Sequence, residues 1–169
     1  MKRVGMFSGT FDPVTLGHLD VLRRALRLFD RVVVAVAAAD KSRKPTLFST
    51  EERVEMFRES LPQEGRGRVE VTAFQGLLVD FARRQQATAV VRGMRFVSDF
   101  EYEMQMAQMN QKLYPELITI FLTPSEAYSS LNATLVKEVA LNGGSVRGLV
   151  PPGVARRLRR KLATGQPGS

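Results

Sequence analysis

A chain of 169 residues with 44% hydrophobic and 25% charged side chains is the size of one globular domain with a sizeable core. It has no cysteine and one histidine, which excludes disulfides, thiolate metal sites and any multi-histidine metal centre. No apolar run approaches the ~20 residues that span a bilayer, and the N-terminus runs into a strand pattern without a signal-peptide core, so a cytoplasmic protein with no membrane partner is expected.

Strand-like and helix-like segments alternate along the chain. Lys2 to Ser8 reads as a short strand, and Leu16 to Phe29 as a helix whose Leu19, Leu22, Leu26 and Phe29 recur at three and four residues. Arg31 to Ala38 is an almost unbroken β-branched run, the pattern of a strand buried on both faces in a parallel sheet. After a polar loop from Ala39 to Leu47, Ser49 with Glu52 forms a capping box that opens a helix ending near Pro62. Strand Arg68–Phe74, helix Leu77–Gln86, strand Thr88–Arg92, helix Val97–Tyr114 and strand Leu117–Leu122 follow. Five strands with helical crossovers predict an α/β fold, a single-domain, doubly wound, five-stranded parallel sheet over residues 1–162, with 163–169 as a disordered tail. Ligands of such sheets lie beyond the carboxyl ends of the strands, where strand order reverses.

The formal charge of +8 is lopsided, since no acidic residue follows Glu138 while Arg147, Arg156, Arg157, Arg159, Arg160 and Lys161 do. Val154, Leu158 and Leu162 recur every four residues among these charges, which reads as a solvated closing helix. No aromatic residues interleave to stack bases, so no nucleic-acid partner is expected. The helix from Val97 carries two apolar stripes, Phe100/Met104/Ala107 and Tyr102/Met106/Met109/Leu113, more than one contact with a sheet requires, and predicts a homo-oligomer.

Chemistry-bearing residues collect after the strands. Gly9-Thr10-Phe11-Asp12-Pro13 leads into Thr15-Leu16-Gly17-His18 at a helix start, a strand–loop–helix arrangement that offers N–H groups and a positive dipole end to phosphate. Thr15 and His18 are one turn apart, and both are expected to reach an oxygen of a reacting phosphoryl group. Arg92-Gly93-Met94-Arg95 places two arginines at a strand's carboxyl end, which suits an anion, and Lys41, Arg43 and Lys44 form a basic run beside the same edge. By its spacing alone, Glu103 reads as a polar residue between two apolar stripes.

Gly9-Thr10-Phe11-Asp12-Pro13 with Gly17-His18 resembles the signature of the nucleotidyltransferase superfamily, whose fuller form is His-x-Gly-His; Thr15 stands at the first His position. That variant resembles the phosphopantetheine adenylyltransferases. The likeness continues through Lys44-Pro45, Glu51-Glu52-Arg53, Arg92-Gly93-Met94-Arg95, Asp99 to Glu103 and Leu135 to Ala140, and so covers about Lys2 to Leu162.

The resemblance implies a Rossmann-like fold, a homohexamer, and adenylyl transfer from ATP with Mg2+ to 4'-phosphopantetheine. His18, Thr10, Arg43 and Arg95 would carry the catalytic contacts. Thr10, Arg43, Leu78 and Arg92 would bind phosphopantetheine. Thr10, Phe11, His18, Gly93, Met94, Arg95, Glu103 and the loop Tyr128, Ser129, Ser130, Leu131, Asn132, Ala133, Thr134 would surround ATP. Ser8 stands where the family has proline, Phe96 where it commonly has alanine, and Asn132-Ala133-Thr134 where it has a serine-rich stretch. Other phosphate acceptors, such as nicotinamide mononucleotide or glycerol phosphate, and a nonenzymatic nucleotide or nucleic-acid binder are the competing readings.

Overall fold

The computed structural model describes residues 2–39 and 45–164. Its elements are β1 (Val4–Gly9), α1 (Leu16–Ala25), β2 (Arg31–Ala37), α2 (Thr50–Glu59), β3 (Val69–Phe74), α3 (Leu78–Arg84), β4 (Ala89–Gly93), α4 (Val97–Leu113), β5 (Ile118–Leu122), α5 (Ala133–Leu141) and α6 (Pro152–Ala163). The five strands pair in parallel in the order β3-β2-β1-β4-β5, the doubly wound sheet expected from the sequence. Strand order reverses between β1 and β4, which opens a crevice beyond their carboxyl ends.

β2 runs down the middle of the larger half-sheet, and its six residues from Val32 to Ala37 are all buried, as a strand covered on both faces must be. One face of the sheet packs under α1, α2, α5 and α6 through Leu19, Leu22, Val54, Phe57, Val136, Val154 and Leu158. The opposite face carries Met6, Val33, Ala35 and Val90 against Val79, Phe81 and Ala82 of α3. α1 stops four residues short of the expected Phe29. Residues 26–29 tighten into turns that fold the Phe29 ring against β1, where a Cβ on Gly5 would stand 2.6 Å from the ring. Side-chain volume, not propensity, requires glycine there.

The closing helix α6 is only partly solvated. Val154 and Leu158 are buried, Arg157 pairs with Glu55 at 3.1 Å and Glu59 at 2.9 Å, and Lys161 pairs with Glu52 at 3.0 Å. The acidic edge of α2 thus takes up part of the basic tail's charge. Ala163 ends α6, and residues 165–169 of the expected tail lie outside the described residues, as does the basic run Lys41, Arg43 and Lys44.

The loops that frame the crevice are tied by two buried charges. Arg53 has no exposed surface; it donates to the carbonyls of Thr10 at 2.7 Å, Ala37 at 2.8 Å and Phe48 at 3.2 Å, and to the Thr50 hydroxyl at 3.1 Å. Burial lowers its pKa, against the opposing pull of the Asp12 and Glu51 carboxylates. Asp12 accepts the N–H groups of Leu47 at 2.8 Å and Phe48 at 2.9 Å and the Lys137 ammonium at 2.8 Å. One guanidinium therefore clamps the ends of β1 and β2 to the start of α2, and one carboxylate ties the same loop to α5.

Arg53→Met removes every donor from these carbonyls while keeping most of the volume, so it should cost about 3–5 kcal/mol in urea unfolding near pH 7. A loss below about 1 kcal/mol would show that water or relaxation replaces the clamp.

Candidate active site

β1 ends in Gly9, and the chain turns at Phe11, a non-glycine residue with φ of 51°. That backbone conformation is uncommon for a bulky residue and persists because the ring is buried, with edge-on contacts to Phe7, Phe57 and His18 at centroid distances of 5.1, 4.8 and 5.0 Å. A Cβ on Gly9 would meet this ring at 2.9 Å, so the glycine is required by close approach. The Phe11 side chain is therefore a floor beneath His18, and only its backbone can meet a nucleotide. Thr10 stays exposed at the tip of the turn.

Thr15 caps α1, and here the expectation that its hydroxyl meets phosphate is corrected. Thr15 is 1% exposed; its hydroxyl accepts the His18 N–H at 3.2 Å, while its own N–H donates to His18 Nδ1 at 3.0 Å. The histidine fills the position of the acid in a capping box. Because Nδ1 accepts a backbone N–H, the proton of the neutral ring must sit on Nε2. The pKa is lowered from 6.5 to about 4, first by burial and then by the charges of Arg95 and Arg92. His18 is thus a neutral Nε2–H donor near pH 7.

At the end of β4, Arg92 and Glu103 of α4 form a two-pronged ion pair, Nε to Oε2 at 2.8 Å and Nη2 to Oε1 at 2.7 Å. Glu103, expected only as a polar residue between two apolar stripes, is therefore paired with a partly buried arginine. Arg92 Nη1 also donates to the carbonyl and hydroxyl of Ser8 at 2.7 and 3.1 Å. Arg95 donates to the Leu131 carbonyl at 3.0 Å and lies 3.6 Å from Asp99. Gly93 packs on Val21, and the Met94 N–H continues the sheet to the Leu122 carbonyl.

These residues wall two adjoining cavities. The first, about 240 Å3, is lined by Gly9, Thr10, Phe11, His18, Gly93, Arg95, Tyr128 and Leu131 among others. The second, about 550 Å3, runs from Thr10 past Leu77 and Leu78 to Tyr102 and Met106. Ser8, Gly9, Thr10, Arg92 and Glu103 line both and form the partition.

A family described as cytidylyltransferase-like matches residues 6–139. A phosphopantetheine adenylyltransferase of Moorella thermoacetica is 53% identical over 159 residues, which is 94% of this chain and 97% of that protein. One of Nitrosomonas eutropha is 54% identical over 92% of this chain and 93% of its own. The chain belongs to the phosphopantetheine adenylyltransferase family. The fold is similar to a Plasmodium falciparum nicotinic acid mononucleotide adenylyltransferase complexed with NaAD, with a TM-score of 0.67 at 12% identity, covering 98% of this chain and 96% of that one. A bifunctional NMN adenylyltransferase/ADP ribose pyrophosphatase of Francisella tularensis has a TM-score of 0.66 at 18% identity, over 97% of this chain and 52% of the other.

Against the roles that membership in this family implies, the structure gathers Thr10, Phe11, His18, Leu78, Arg92, Gly93, Arg95 and Glu103 around the partition. From the 128–134 loop it brings in Tyr128 and Leu131. Ser129, Ser130, Asn132, Ala133 and Thr134 do not line the cavity: the Ser129 hydroxyl donates to the Glu126 carbonyl at 2.9 Å, and the Asn132 side chain caps α5 by accepting the Leu135 N–H at 2.8 Å. Met94 also stays outside both cavities, and Arg43 lies outside the described residues. Lys137 pairs with Asp12. Asp12, Arg53 and Ser8 are the supporting residues that carried no role in the sequence. Two of them sit inside quoted motifs, but nothing in a pattern marks a charged residue for complete burial.

The lowered pKa of His18 has a stability signature. Between about pH 4 and 6.5 the unfolded chain binds a proton that the folded chain refuses, so folding stability falls as pH drops from 6.5 towards 4 and levels off below. Relative to His18→Gln, the wild type should therefore lose stability on acidification through that window, measured as urea midpoints. Parallel curves for the two proteins would contradict the shift.

Proposed function

We propose that the chain transfers the adenylyl group of ATP to the phosphate of 4'-phosphopantetheine, giving dephospho-coenzyme A and pyrophosphate, in the cytoplasm. The observation that carries this is the partition itself: two cavities meet at Thr10 and Arg92, with the His18 donor on the nucleotide side. The family's relatives at about half identity are named for this transfer. The similar structures at low identity support the fold alone.

In this reading the triphosphate enters the smaller cavity beside Thr10, the Phe11 backbone, His18, Arg95, Tyr128 and Leu131. The acceptor lies along Leu77 and Leu78 with its phosphate towards Arg92; Arg43 joins it by resemblance. An acceptor phosphate oxygen attacks the α-phosphorus in line, a new P–O bond forms, the bond to the bridging oxygen breaks, and pyrophosphate departs with the electron pair. The nucleophile is already ionised near neutral pH, so no side chain must take its proton. Charge grows on the non-bridging oxygens, and the preorganised Nε2–H of His18, the guanidinium groups and the backbone N–H groups meet it without reorganisation.

Among the described residues no three His, Asp or Glu side chains converge to hold a metal ion. Mg2+ would accordingly come in on the triphosphate oxygens and neutralise the leaving pyrophosphate.

α4 adds a second element to the proposal. Tyr102, Met106, Met109 and Leu113 are 40–64% exposed in the single chain, so the second expected stripe is uncovered within it, whereas Met104 and Ala107 of the first are partly buried and only its Phe100 is exposed. Burial of these residues against other copies of the chain, in the hexamer that the resemblance implies, would remove them from water. Sedimentation at micromolar concentration should give a multiple of the chain mass, and a monomer would contradict this.

The assay is pyrophosphate release from Mg-ATP with 4'-phosphopantetheine, nicotinamide mononucleotide and glycerol 3-phosphate in parallel. Release with the first alone is expected; release only with another would keep the site and overturn the acceptor. His18→Ala should lower kcat by about 10²–10³ with little change in the KM for ATP. Equal losses in binding and turnover would remove His18 from the transition state.

A further inference from the structure

We infer that Asp20 is a positioning residue for the nucleotide side of the site: its carboxylate fixes the loop that joins β5 to α5, and through that loop the Tyr128 and Leu131 wall of the smaller cavity. This rests on the proposed transfer reaction, with ATP in that cavity.

β5 is an edge strand, so the segment that leaves it has no neighbouring strand on its outer side. Residues 123–131 make one 3-10 turn at Glu126–Tyr128 and otherwise follow no regular element. Internal bonds close the turn: the Tyr128 N–H donates to the Ser125 carbonyl at 2.9 Å, and the Leu131 N–H to the Tyr128 carbonyl at 3.1 Å. Among the described residues, two hydrogen bonds tie this loop to the rest of the protein. The Ser125 N–H donates to Asp20 Oδ2 at 2.7 Å, and the Leu131 carbonyl accepts from Arg95 at 3.0 Å. Tyr128 stands between the two tethers, and a Cβ on Gly17 would lie 3.6 Å from the Tyr128 Cβ, so the loop rests on the first turn of α1.

Asp20 follows His18 by two residues in α1, so about 200° of helix rotation separates them. The imidazole lines the smaller cavity, while the carboxylate turns to the chain leaving β5. One helix therefore sets both the proposed transition-state donor and, through Asp20, the wall that Pro124, Tyr128 and Leu131 contribute to the same cavity. Asp20 keeps only 17% of its side-chain surface, and the oxygen that holds Ser125 also accepts Nε of Arg24 at 3.1 Å, one turn further along α1. A backbone N–H bonded to a carboxylate is a charge-assisted bond, stronger than a neutral one. Without it the loop would be held by Arg95 alone, and the cost of ordering it would be taken from nucleotide affinity. No residue of 123–131 lines the larger cavity, so affinity for the acceptor should not share that cost.

The test is a set of KM values for ATP and 4'-phosphopantetheine in the full-length protein. Asp20→Ala removes the acceptor of the tether. Ser125→Pro removes its donor, and Ser125 has φ of −62°, which proline adopts. Each should raise the KM for ATP about tenfold and leave that for the acceptor within about twofold. The double variant should exceed the larger single effect by less than about twofold. Asp20→Asn, whose amide oxygen still accepts an N–H, should rescue the KM for ATP to within about threefold of wild type. Arg24→Ala, which removes the ion pair but not the tether, should leave both KM values within about twofold.

Equal rises in both KM values, independent effects of Asp20→Ala and Ser125→Pro, or an unchanged KM for ATP would overturn the inference. So would a loss in Asp20→Asn or Arg24→Ala as large as that in Asp20→Ala. Should Asp20→Ala fail to fold, Ser125→Pro carries the same comparison of the two substrates. Wild-type protein that releases no pyrophosphate from ATP with any acceptor would instead overturn the underlying reading, and the unmutated control shows which has failed.

Discussion

The buried guanidinium of Arg53 is the interaction on which the rest of the site depends. The carboxyl ends of parallel strands leave carbonyls that a sheet cannot satisfy, and at a topological switch these ends must also stand apart to admit a ligand. Arg53 meets the first demand by donating to Thr10 and Ala37, which fixes the end of β1 against that of β2 on one side of the crevice between β1 and β4. Asp12 completes the knot from the other side, joining the same turn to residues 47–48 and to Lys137 of α5. The same turn holds Phe11 at a positive φ, and its ring packs edge-on against His18.

That support determines the chemistry. His18 is neutral for two separate reasons: burial beside Arg95 and Arg92 disfavours the imidazolium, and the capping box with Thr15 occupies the Nδ1 lone pair. The family variant with threonine in place of the first histidine of the signature thus has a structural use here, because Thr15 sets the ring's tautomer instead of touching phosphate. A donor that is uncharged at rest does not bind the ground-state triphosphate as a cation would. Its value rises as charge moves onto the phosphoryl oxygens, which is the condition for lowering a barrier.

Much of this was legible in the sequence. The run from Arg31 to Ala38 announced a doubly covered strand, Ser49 with Glu52 announced the capping box that forms, and the alternation of periods implied the parallel sheet. The Gly9–His18 and Arg92–Arg95 segments identified the crevice because chemistry-bearing residues follow strands in such folds. What the sequence did not reveal depends on contacts across long separations. The Arg53 clamp reaches back 43 residues to Thr10, and Arg92 meets Ser8 across 84. The pairing of Glu103 with Arg92 likewise becomes visible only when α4 folds back over the end of β4. Spacing also placed the Thr15 hydroxyl beside a phosphate without showing that it is already engaged by the His18 N–H.

Since the chain has one histidine, the central claim can be tested on a single signal. Isotope-labelled imidazole nitrogens followed by NMR from about pH 4 to 8 report charge and tautomer together. The account predicts a neutral ring protonated on Nε2 near pH 7, with titration near 4. An imidazolium that titrates near its ordinary value, or a neutral ring protonated on Nδ1, would contradict it.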